Sequence, residues 1–269
     1  MGLIQRAAVL AILSAMAVGG LARCVPRVLD PAPGLRRLPN PLASPAHQEA
    51  AVAAARDFEV VVRTYEESIT DLRAQRAGLA ERWTDATRPE ARATVLADAR
   101  TAVQRAILDD VFPAWLGTDW AFYGATEKPG EGSIACGYFV STVLRDAGFK
   151  VARVDLAQQA SSKIVRTFAT KGETVWFRRR PALEVVKHVK DQGEGIYIVG
   201  LDHHVGFLVY DGEEVEMCHS SVLWPGTVVC EPAARAEAMQ SLVHVVGPVL
   251  TDDVLRRWLQ GKAFPTWRG

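Results

Sequence analysis

Gly132-Ser-Ile-Ala-Cys-Gly-Tyr-Phe-Val-Ser-Thr-Val-Leu-Arg-Asp-Ala-Gly-Phe149 decides the reading of this chain. Phe139, Val140, Val143, Leu144 and Ala147 recur at helical spacing, so the stretch predicts a helix with one buried stripe. Ser133 is a candidate N-cap, since its hydroxyl can accept from the unpaired backbone N–H groups of a first turn. Gly148 stands where a left-handed C-terminal cap belongs. Cys136 then falls in the first turn, at the positive end of the helix dipole. There a thiol is expected to have a lowered pKa and nucleophilic character. Read alone, a lone cysteine in an apolar helix is more often a buried structural residue.

Downstream of this helix the pattern changes to β. Gly195–Leu201, His204–Tyr210, Glu214–His219 and Thr227–Glu231 read as strands, and Asp211-Gly212 as the hairpin turn between the second and third. Period-2 alternation puts Val215, Met217 and His219 on one face, expected to be buried, and Cys218 on the other. His204 opens the second strand, so a hairpin brings it beside His219. A helix-start thiol followed by two strand histidines is what a thiol hydrolase needs. One imidazole takes the thiol proton and returns it to the leaving group, and a further polar group fixes its tautomer. His203 alternates away from His204, and Asp202 reads as a turn residue at the rim.

These motifs, Gly132 to Leu144 with His204-Val-Gly-Phe-Leu-Val209 and Met217-Cys-His-Ser-Ser221, resemble the NlpC-type cell-wall peptidases of the papain-like cysteine peptidase superfamily. The resemblance spans roughly residues 115–221. It implies an α+β papain-like fold, with the cysteine helix on a small antiparallel sheet. It also implies Cys136 as nucleophile, His204 as general base and His219 as orienting residue. The family's aromatic near the thiol falls in Trp120-Ala-Phe-Tyr-Gly124, with Tyr123 the candidate substrate-binding residue. Peptidoglycan stem peptides, or another peptide or acyl substrate, are the implied partner, with no cofactor and no metal. Ala135 and Gly137 depart from the acidic residue and serine that flank the family's thiol. The Cys136–His204 and His204–His219 intervals are longer than usual.

The rest of the chain frames this domain. Residues 1–22 read as an export signal, with Arg6, the apolar run Ala7–Val18 and a small-x-small site at 20–22, or as a retained anchor helix. Leu21-Ala22-Arg23-Cys24 resembles a lipoprotein processing box in which Cys24 would carry lipid, with Arg23 a departure. The expected location is therefore exported: periplasm, cell envelope or secreted. Membrane contact is expected only through the signal or a lipid on Cys24. Residues 23–46 read as a Pro-rich linker, 47–114 as a helical hairpin extension, and 115–269 as the catalytic domain. Short pieces were also expected: a strand over Lys150–Leu156, helices over Ala157–Ala169 and Pro181–Lys190, and a last helix from Asp252.

With 31 basic and 31 acidic residues the formal net charge is zero, which argues against a nucleic-acid partner. Four cysteines are too few for a disulfide scaffold, but Cys218 and Cys230 on paired strands would meet, and export permits their oxidation. Three rival functions remain: a mixed Cys/His metal site, an acyltransferase of the same superfamily, and a non-catalytic envelope-binding module.

Overall fold

The computed structural model describes residues 64–265. The expected signal, Cys24, the Pro-rich linker and the start of the helical extension lie outside the described residues.

The described chain opens with two antiparallel helices. Helix α1 (Tyr65–Asp85) carries a capping box, with Thr64 accepting from Glu67 N–H and Glu67 answering to Thr64 N–H. Arg88 and Pro89 start helix α2 (Pro89–Arg105). Its stripe Val95, Ala99 and Val103 is buried and continues through a π-helical turn (Ala106–Val111) into the short helix α3 (Phe112–Trp115). Helix α4 (Cys136–Asp146) follows a loop. Then come α5 (Arg153–Ala157), α6 (Ser161–Phe168), strand β1 (Val175–Arg178) and α7 (Ala182–Gln192). Strands β2 (Gly195–Gly200), β3 (Val205–Tyr210), β4 (Val215–Ser220), β5 (Val228–Pro232) and β6 (Val243–Pro248) precede helix α8 (Asp252–Leu259).

The class is α+β, with one six-stranded, wholly antiparallel sheet in the order β1-β6-β2-β3-β4-β5. The four expected strands are present, and so are the turn at Gly212 and the last helix. Lys150–Leu156 is not a strand: Arg153 to Ala157 are helical. The outer strand β1 and the inserted strand β6 were not foreseen. Residue 178 to residue 243 is too long a separation for sequence periodicity to pair them.

Both sheet faces are covered, and this corrects the expectation of one buried face. Phe207, Val209, Cys218, Ile196 and Ile198 join a core with α4 and the helices of residues 65–115. Leu208, Met217, Val215, Tyr197 and Val199 join a second core with Val185 and Val189 of α7. Cys218, expected to face outward, is therefore buried. A strand sandwiched between two layers cannot advertise its inner face by polarity, because both faces are inner.

Candidate active site

The thiol-bearing segment is pinned before its helix begins. Ser133 and Ile134 run extended, bridging Asp119 and Ala125. Ile134 N–H donates to Asp119 O at 2.8 Å, and Ala135 N–H to Gly124 O at 2.9 Å. The chain becomes helical only at Cys136, with Ala135 as the cap residue and no side-chain cap. Ser133 therefore does not cap the helix, since it lies two residues before the cap position in an extended segment. From the sheet side, Ser220 Oγ donates to Ile134 O at 2.6 Å, in a buried bond. At the far end, Gly148 closes the helix with φ +85°, as expected.

Cys136 is a free, partly buried thiol. Burial pushes its pKa up, and this outweighs the opposing N–H groups of Val205, Gly137 and Cys136 itself. The expected lowering at the helix start does not occur: the dipole and three donors are present, but desolvation disfavours the thiolate more.

Cys136 and His204 line one cleft of about 260 Å³. One wall is the segment Ala157–Ser161, between α5 and α6. Its position explains a departure noted in the sequence. A Cβ at residue 137 would collide with the carbonyl oxygen of Ala157, so the helix's second residue has to be glycine. The opposite wall is the β2–β3 turn, closed by Leu201 N–H to His204 O at 2.8 Å and tied across by Ser161 Oγ to Leu201 O at 2.8 Å. Asp202 anchors this turn by accepting from Ser241 Oγ and Leu242 N–H, both at 2.7 Å. Burial acts against the Asp202 charge, but these donors win and hold the carboxyl below its ordinary range. The exposed His203 also lines the cleft.

His204 leads into a file of side chains. Its Nε2 lies 2.7 Å from His219 Nδ1, and His219 Nε2 lies 3.1 Å from Glu231 Oε1. The pairing of β3 with β4 continues to Gly206 opposite His219, where a Cβ would stand 2.9 Å from the His219 Cβ. Glycine there leaves space for the ring. His219 is fully buried. Burial, and then the neighbouring His219, push the His204 imidazole down to about 3. The resting pair is thus a neutral thiol and a neutral imidazole.

The structure therefore places Cys136 and His204 on the lining of one cleft, with the buried His219 behind His204. It does not bring Tyr123 there: that side chain is 76% exposed, stacks edge-on with Phe122, and is absent from the cleft lining. Glu231 was missed, although the signal was available. Cys218 and Cys230 are disulfide-bonded as directly paired residues, and that register puts Glu231 opposite Met217, on the face of His219. Ser220 was also passed over, as a polar residue on the face away from the histidines.

No family model matches this chain, and neither does any curated protein or solved structure.

Proposed function

We propose that this chain is a thiol hydrolase that cleaves an amide bond through Cys136, in a papain-like domain resembling the NlpC-type cell-wall peptidases. The observation that carries the reading is the hydrogen-bonded file Glu231–His219–His204, which ends in the cleft lined by Cys136. His219 engages Nε2 of His204, so Nδ1 is left to take the thiol proton. As the sulfur attacks the acyl carbon, negative charge grows on the carbonyl oxygen beside it. The N–H groups of Cys136 and Gly137, already directed at the sulfur, are the donors at hand for that charge. His204 then protonates the leaving amine, and water hydrolyses the thioester by the reverse sequence.

Peptidoglycan stem peptides are the proposed substrate and the cell envelope the proposed location; both rest on the resemblance and on the export-like residues 1–22. The metal-site rival is disfavoured by donor chemistry. The Cys218 sulfur is held in a disulfide, and both His219 nitrogens have partners within the protein. The acyltransferase reading keeps the same nucleophile and differs only in the acceptor. Mass spectrometry of peptidoglycan fragments incubated with the protein tests the proposal. New peptide termini are expected, and they should be absent with Cys136→Ala.

A further inference from the structure

We infer that Glu231 is a positioning residue that sets the tautomers of both site histidines, so that the free lone pair of His204 sits on Nδ1. The inference rests on the thiol-hydrolase reading above and adds a residue to it.

The argument is one of donors and acceptors. A carboxylate accepts hydrogen bonds and donates none. In the single-proton form of the His219 ring, Glu231 Oε1, at 3.1 Å, therefore requires that proton on Nε2. His219 Nδ1 is then a bare acceptor, and the 2.7 Å contact requires the proton of His204 to be on its own Nε2. His204 Nδ1 is left unprotonated, and His204 lines the cleft with Cys136. Without Glu231 the pair has two equivalent arrangements. In the reversed one, His219 Nδ1–H donates to His204 Nε2, the His204 proton moves to Nδ1, and the base has nothing with which to accept the thiol proton. His219 is sealed from water, which removes solvent as a substitute partner at its ring. Its far nitrogen depends on what β5 presents. The Cys218–Cys230 link fixes that presentation, holding β5 in the register that brings Glu231 to His219.

The test is Glu231→Gln. The change keeps shape and volume, and the Glu231 side chain is one-third exposed, so the fold is retained. An amide both donates and accepts, so the direction of the file is no longer enforced. Two-bond ¹⁵N–¹H spectra of histidine-labelled protein report which ring nitrogen carries the proton. The wild type should show His204 and His219 each protonated on Nε2 alone, and Glu231→Gln should show both arrangements. Turnover on peptidoglycan fragments should fall roughly 10–100-fold, a discounted form of the loss seen when a triad imidazole takes the wrong tautomer. An unchanged tautomer pattern in Glu231→Gln would overturn the inference, as would an altered pattern with unaltered turnover. The spectra require no substrate. A Cys136→Ala protein that remained active would sink the hydrolase reading while leaving the tautomer result in place.

Discussion

The two ends of helix α4 are built in opposite ways. At the C-terminal end the helix is lashed to its surroundings. Asp146, nearly buried, takes the Arg145 guanidinium at 2.7 Å and the Tyr65 hydroxyl at 2.7 Å, and Trp115 Nε1–H donates to the same Tyr65 oxygen at 2.9 Å. Arg145 also pairs with Glu127, and Trp258 Nε1–H donates to Ala147 O at 2.9 Å. Burial, followed by the Asp146 charge, drives the Tyr65 phenol far above its ordinary range. The N-terminal end has, among the described residues, no side-chain cap and no acidic residue in its first turn, and it opens onto a cleft. One end fastens helix α1 to helix α4. The other turns its Cys136 and Gly137 N–H groups toward a single sulfur, joined by that of Val205 from β3. The contrast teaches that polar groups here stabilise the helix where no chemistry is proposed, and are withheld where it is.

Substitutions can break that contrast. Asp146→Ala should have the largest effect on stability, about 3 kcal/mol, because it takes the carboxylate from a partly buried phenol and from a guanidinium left with Glu127 alone. Urea denaturation measures it. Turnover per folded molecule should change less than about threefold, since the cleft is untouched. Unaltered stability would dissolve the contrast. Gly137→Ser, which puts back the residue type of the resembled family, should cost about 2 kcal/mol by overpacking against Ala157 and should displace that wall of the cleft. Thermal unfolding and turnover should both register it.

Ser220→Ala comes next. It removes the buried donor of Ile134 O, costing about 1 kcal/mol. The thiol segment would lose its tie to β4, so turnover should drop roughly 10-fold. Strand alternation puts Ser220 on the face away from the histidines, so it is the Ile134 bond that makes the residue matter.

The last effect is absent at neutral pH and grows on acidification. The folded value for His204 is about 3, below the ordinary 6.5 of an imidazole. Between those values the unfolded chain binds the extra proton and the folded chain does not, so stability falls as pH drops from about 6.5 toward 3. Urea midpoints measured across that window should decline on acidification, and His204→Gln should flatten the slope. An equal slope in the variant would place the titration elsewhere. The raised Cys136 pKa predicts in turn that iodoacetamide alkylation is no faster than for an ordinary thiol near neutrality, and that its pH midpoint lies above that of free cysteine.

Much of this arrangement was legible in the sequence. Cys136, His204 and His219 stand in recognisable local settings, and the β3–β4 hairpin follows from Asp211-Gly212. The Cys218–Cys230 pairing was also within reach. What escaped notice depended on distant packing. Burial outweighs the helix dipole at the thiol, in a cleft that Val205 and the Ala157 wall also line. Neither lies near residue 136 in sequence. Glu231 required the β4–β5 register. The edge β1–β6 pairing required contacts across some 65 residues, which no local periodicity encodes. Tyr123 was placed by resemblance alone, and its side chain is out in solvent.

The central claim is that Cys136 is the nucleophile of an amide hydrolase, and the most direct measurement is trapping of its acyl intermediate. Protein mixed with peptidoglycan fragments and quenched in acid within the first turnovers should carry an added acyl mass. Peptide mapping should place that mass on the Cys136 peptide in the wild type, with none in Cys136→Ala. Cleavage that persists in Cys136→Ala, or an adduct mapping to another residue, would contradict the account.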